Sequence, residues 1–286
     1  MRTNKLRQTI LSFAIALMGI MAATPVKAQY FRFCGNRYTA DATIPLGGGT
    51  ATWNQATTTL TLKNVQAENV SDNFISCEGI AHLKIVLEGS NSVKSNGSFL
   101  YWRGGNVEIS GKGSLTARSE NNVAIYMNDY AAPRTLTIKD CKLDVQGKRR
   151  SIAGYKNGDN TETLNLVVDN ATLKVKGATG GWGWKESGIT YLKSYELKNC
   201  HISTAGVRFG KRSNSTCYEL LGTDNYTYPS EVEIVPGNAP TGISSVTADT
   251  PQGKRGIYTL DGMRLNGALD NLPAGIYIVD GRKVVK

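Results

Sequence analysis

The chain has 286 residues, of which 40% are hydrophobic and 20% charged, with a formal charge of +10. This is enough material for one sizeable core, or for one long solenoid with a small module. The positive charge is concentrated at the two ends, and the +3 left over the long middle is too dilute for the basic stripe that nucleic-acid binding requires.

The opening "MRTNKLRQTILSFAIALMGIMAATPVKA" places Arg2, Lys5 and Arg7 ahead of an apolar run from Ile10 to Ala23. That run, about fourteen residues, is short for a membrane span, and Val26-Lys27-Ala28 is a small-x-small cleavage pattern. Residues 1–28 are therefore expected to be a signal peptide, cut after Ala28. Its loss removes four basic residues and no acid, which lowers the charge to +6. No cysteine stands at the new N-terminus, so the mature chain is expected to lack both a lipid anchor and a transmembrane anchor.

Beyond the signal no useful apolar stripe at helical spacing occurs, and strand-and-turn chemistry dominates. One phrase recurs six times. "LTLKNVQAENV" begins at Leu60, "LKIVLEGSNSV" at Leu83 and "VEISGKGSLTA" at Val107. "LTIKDCKLDV" follows at Leu136, "LNLVVDNATLKV" at Leu164 and "YELKNCHIST" at Tyr195. Each has apolar residues at alternate positions, then a turn residue (Asn64, Gly89, Gly111, Asp140, Asn170, Asn199), then in most copies a second short apolar pair. Alternation turns one side of a strand inward, and a unit this small buries its inner side only by stacking on its neighbours. The expected fold is all-β: a right-handed parallel β-helix over residues 29–235, each copy one coil. Unequal stretches between copies, such as "NNVAIYMNDYAAPR", are expected to be loops leaving the stack. An antiparallel sandwich also alternates, but it does not require a two-strand phrase to recur at a similar offset.

Stacking also constrains the cysteines. Cys141 and Cys200 follow the turn residue, with Ala171 in the copy between them. Two coils are about 9.6 Å apart, beyond the reach of a disulfide, so these residues are expected to be buried fillers in one inward row. Cys34 and Cys77 remain a candidate pair in an oxidising compartment, and the odd total leaves a thiol over. No CxxC occurs, and His82 and His201 are far apart, which argues against a metal cluster. Calcium can be assigned no residues.

Catalysis is hard to read in the chain. The outward positions of the first strand are expected to be Thr61, Lys84, Glu108, Thr137, Asn165 and Glu196. Glu108 and Glu196 then stand about 14 Å apart, too far for a glycosidase acid pair. Asp140 and Asp169 approach each other at a turn, where acids more often bond the backbone. Binding has better material: Tyr101 and Trp102 in "FLYWRGG", Tyr126 and Tyr130 in "YMNDY", and Trp182 and Trp184 in "GATGGWGWKESG". Aromatic rings stack on the apolar faces of sugars while Asn, Asp, Lys and Arg satisfy hydroxyls. In repeat style, residues 50–210 resemble secreted carbohydrate-binding β-helix proteins related in shape to polysaccharide lyases.

After Val235 the text changes. "PGNAPTG", residues 236–242, reads as a linker to a small β module at 243–286. Asp261-Gly262 and Asp280-Gly281 sit between alternating apolar residues, a strong hairpin signal. The "TGI" opening, "YTLDGMRL" and the ending "LPAGIYIVDGRKVVK" resemble the C-terminal sorting domain of the type IX secretion system. That resemblance implies that the type IX machinery is a partner and carries the chain through the periplasm to the outer-membrane surface or the medium. The expected function is a non-catalytic surface or secreted protein binding polysaccharide or glycoconjugate, without cofactor. The alternatives are an adhesin with a protein partner and, last, a polysaccharide lyase.

Overall fold

The computed structural model describes residues 30–155, 162–180, 183–213, 215–238, 256–280 and 282–286. The expected signal segment, residues 239–242 of the expected linker and Trp182 lie outside the described residues. The chain divides into two compact units, Met1–Ala239 and Pro240–Lys286.

The first unit is a β-solenoid of about 5 turns in which each turn supplies one strand to each of three parallel sheets. The first face stacks Thr59–Lys63, His82–Glu88, Asn106–Ser110, Arg134–Lys139, Leu164–Asp169 and Leu192–Lys198. The second stacks Gln66–Val70, Ser90–Ser95, Ser114–Ser119, Lys142–Gln146 and Thr172–Lys176. Ile75–Glu78, Leu100–Arg103, Ile125–Met127, Ile152–Ala153 and Ile189–Thr190 make the third. The repeated phrase thus accounts for two faces of the three. The third is built from the stretches between copies, including the expected loop "NNVAIYMNDYAAPR", whose Ile125–Met127 is a strand. Strands of two to four residues are too short to display an alternation, which is why this face was not visible in the text.

The interior is a set of columns. Leu60, Ile85, Ile109, Ile138 and Val168 stand in register on the first face, and Ile75, Leu100, Ile125, Ile152 and Ile189 on the third, all fully buried. Each such side chain contributes about 1.5–3 kcal/mol by leaving water. The register differs from the sequence reading at three joints: Leu60 lies opposite Ile85 rather than Leu83, Leu136 opposite Leu166 rather than Leu164, and Tyr195 opposite Leu166 rather than Leu164. A slip of two residues keeps every side chain on its own face, so alternation alone does not detect it.

The corner from the first face to the second turns on the six predicted residues. Asn64, Gly89, Gly111, Asp140, Asn170 and Asn199 all have positive φ, between 47° and 120°. Gly, Asn and Asp are the residues that enter this region at least cost. Side chains also connect successive corners: Asn170 Nδ2 donates to Asp140 Oδ1 at 2.7 Å, and Asn199 Nδ2 donates to Asp169 Oδ1 at 3.2 Å. Just past the corner Cys141, Ala171 and Cys200 are buried, and Cys200 Sγ accepts from the Ala171 N–H at 3.3 Å. All five cysteines are free thiols. The candidate pair Cys34–Cys77 is not formed, because the register sets Phe31 opposite Cys77 and carries Cys34 past the far end of the ladder.

Both ends of the stack reverse direction. At the N-terminal end Tyr30–Phe33 runs antiparallel to Ile75–Glu78, and the hairpin Ala42–Leu46/Gly49–Asn54 lies antiparallel on Thr59–Lys63. Trp53 stacks on Phe31, ring centroids 3.8 Å apart and 8° from coplanar, which seals the first coil. The outermost strand contains Pro45. At the other end Glu231–Pro236 runs antiparallel between Thr172–Lys176 and Cys200–Ile202. Hence the second half of the sixth phrase does not continue the parallel stack, although its first half does, with Tyr195 opposite Leu166. On that last strand of the first face the register breaks and leaves Lys193 without an opposite number.

In the second unit the described residues form a four-stranded antiparallel sheet, ordered Arg264–Leu265, Ile257–Tyr258, Ile276–Val279, Arg282–Val285. Asp280, with φ 48°, makes the tight bend expected of it, and Asp261-Gly262 turns the other hairpin. The terminal Lys286 is tied in: its backbone exchanges hydrogen bonds with Gly275, and its ammonium donates to the carbonyls of Asp270 and Leu272. Among the described residues of this unit only Ile257 and Tyr277 are buried.

Candidate functional site

The three faces share one interior and differ outside. On the first face the outward column runs Thr59, Lys84, Glu108, Thr137, Val167, Glu196. Thr61 falls beside Val86, and Asn165 beside Thr135 and Ser194, a consequence of the two-residue slips. Glu108 and Glu196 are three strands apart, about 14 Å at the rung spacing, so they make no acid pair. Asp140 lies in register with Asn170, and Asp169 lies 3.8 Å from Lys139, so both acids serve the corner and its flank. The second face is lined with exposed ion pairs: Lys94–Glu120 at 2.8 Å, Arg118–Asp144 at 2.7 Å and Lys174–Glu233 at 3.5 Å.

The third face carries an aromatic pair. Tyr101 and Tyr126 stand on neighbouring strands in register, both pointing outward, with centroids 5.8 Å apart and rings at 66°. The Asn128 amide donates to the Tyr101 hydroxyl. Burial, with help from neighbouring Tyr101, pushes the Tyr126 hydroxyl above its ordinary pKa. Tyr130 is 60% exposed and its ring lies 6.0 Å from Tyr155. Trp102, between Tyr101 and Arg103 on the same strand, points inward and is fully buried, a core residue with no path to a ligand. Trp184 is 38% exposed, with the Arg149 guanidinium 4.8 Å from its ring centroid.

Two clefts flank the tyrosine pair. One, of about 200 Å³, is lined by Glu78, Arg103, Asp129, Tyr130 and Arg134. Asp129 organises it: Oδ2 accepts from the Gly104 N–H at 3.0 Å and from Arg134 Nε at 2.8 Å, while Oδ1 accepts from the Ala131 N–H at 2.9 Å. Burial opposes its charge, but these donors prevail and hold the carboxyl below its usual pKa. The other cleft, of about 320 Å³, is lined by Asn122, Tyr126, Arg150, Ala153, Gly154 and Tyr191. Ala153, itself buried, occupies the outward position that Tyr101 and Tyr126 hold in the two preceding turns. Arg150 covers the Tyr191 ring at 4.8 Å, donates to its hydroxyl at 3.2 Å, and pairs with Glu186.

Of the sequence candidates, the structure brings together Tyr101 and Tyr126, with Tyr130 at the neighbouring cleft. Asn128, Asp129, Arg150 and Tyr191 were not anticipated. Setting the third-face strands under one another would have shown the outward column Ser76, Tyr101, Tyr126, Ala153, Thr190, but two-residue strands give no pattern to align. Among the described residues no group of three or more His, Cys, Asp or Glu side chains is placed to hold a metal ion. The same residues contain no helix long and apolar enough to cross a membrane. The fold and the face define a β-solenoid with an aromatic, cleft-bearing side; no protein-family model, curated protein or solved structure matches the chain.

Proposed function

We propose that this protein is an exported, non-catalytic β-helix that binds glycan along its third face. The observation that carries the reading is the outward Tyr101–Tyr126 pair between two polar clefts, on a surface whose backbone is fixed by the strands beneath it. Exposed rings beside Asn, Asp and Arg groups suit sugars, which offer an apolar ring face and a rim of hydroxyls. Rigid placement lowers the ordering cost of binding. The absence of a close acid pair at Glu108 and Glu196 favours binding over glycoside hydrolysis.

A screen of the signal-free chain against plant, host and bacterial polysaccharides tests the reading. Binding that falls about tenfold in Tyr101→Ala or Tyr126→Ala, equivalent to about 1.4 kcal/mol, supports it. Failure across the panel, with and without calcium, removes it and leaves an adhesin with a protein partner as the reading to pursue.

Export by a signal peptide and a type IX tail belongs to the same proposal. Support comes from the small sheet at 256–286, which exposes Leu260, Met263 and Val285 and ties its last lysine into the fold. Truncation of Leu272–Lys286 should retain the protein inside the cell, as read by fractionation. Unchanged surface delivery would remove this part.

A further inference from the structure

The cleft over Ala153 has a chemistry that the tyrosine pair lacks. It is lined by Tyr126 and Tyr191 with the buried Ala153 and Gly154 behind them, and one guanidinium, that of Arg150, borders it. Arg150 uses Nε on Glu186 and Nη2 on Tyr191; its Nη1 has no partner among the described residues. Glu186 is shared between Arg150 and Arg149, the latter at 3.8 Å, so one carboxylate faces two guanidinium groups and a positive charge is left over. The Tyr191 ring beneath Arg150 holds the guanidinium plane in place. A fixed guanidinium with a free donor at the edge of an aromatic slot recognises a carboxylate or sulfate better than it recognises a hydroxyl.

Resting on the glycan-binding reading above, we propose that this cleft is a subsite for one anionic sugar residue. The sugar ring packs between Tyr126 and Tyr191, and its carboxylate or sulfate accepts from Arg150. Arg150 is the specificity determinant, while Tyr101 and Tyr126 supply binding that does not depend on ligand charge.

The test is calorimetric titration of the signal-free chain with four probes: oligogalacturonate, its methyl ester, sulfated dextran oligosaccharide and plain dextran oligosaccharide, all at physiological salt. At least one anionic probe should bind tenfold or more tighter than its neutral counterpart, and which of the two does so identifies carboxylate or sulfate as the group held. Arg150→Gln should abolish that preference, with circular dichroism confirming the fold. Equal binding of charged and neutral probes overturns this inference alone, and so does a preference that survives Arg150→Gln, since attraction would then act from outside the cleft. No binding to any of the four overturns it, and the broader glycan screen then decides whether the parent reading falls too.

Discussion

The second and third faces rest on the same kind of column inside and present different chemistries outside. Val93, Ala117, Val145 and Val175 fill the second face from within much as Leu100, Ile125, Ile152 and Ile189 fill the third. Outside, one carries lysine, arginine and acid in solvated pairs, and the other adds to a single such pair, Arg103–Glu78, the Tyr101–Tyr126 rings and Arg150 held over Tyr191. Stacking therefore constrains only half of each strand. The outward half is free to vary face by face, and that freedom is what allows one side of a solenoid to become a binding surface.

Variants on the two sides test this division. The largest effects should come from the shared interior: Ile125→Ala under the third face and Ile138→Ala under the first should each cost about 2–5 kcal/mol, measured by urea denaturation. A large disparity between them would mean that the faces do not share one core. At the corner Asn170→Val forces a β-branched residue into φ 47° and should cost about 1–3 kcal/mol, while Asn170→Gly stays close to the parent. A smaller effect is expected at the third-face cleft. The folded Asp129 carboxyl titrates below its unfolded value near 3.8, so its stabilisation is present above that pH and is lost as the pH falls through the lower folded value. The melting temperature of Asp129→Asn should therefore lie below the parent's at neutral pH, and the gap should close in acid. The smallest effect belongs to the second face: Lys94→Met removes an exposed pair and should change stability by no more than about 0.5 kcal/mol.

Much of the solenoid was legible because the first and second faces repeat a sentence with a turn residue in a fixed place, and each of those residues has the backbone geometry its type prefers. What escaped did so for identifiable reasons. Two-residue slips at Leu60 and Leu164 preserve inside and outside, so the pattern is blind to them. The antiparallel strands at either end depend on contacts far apart in sequence, such as Val175 with Val232, which no local signal announces. In the candidate face Tyr101 and Tyr126 were visible as residue types. The alternation in "LYWR" already separates Tyr101 from Trp102, since Leu100 and Trp102 share a side. Arg150 and Tyr191 meet across 41 positions, and only the folded coil brings them together.

A molecule built by repetition can be continued by another copy of itself, and the margins of the first face bear on that hazard. One margin ends in a strand with Pro45, which brings no N–H to a newcomer, and the other in a strand interrupted at Lys193. Proline, irregular register and lysine at a sheet border all discourage a further strand from docking there. Addition of a further strand is thus opposed at both margins of the first face.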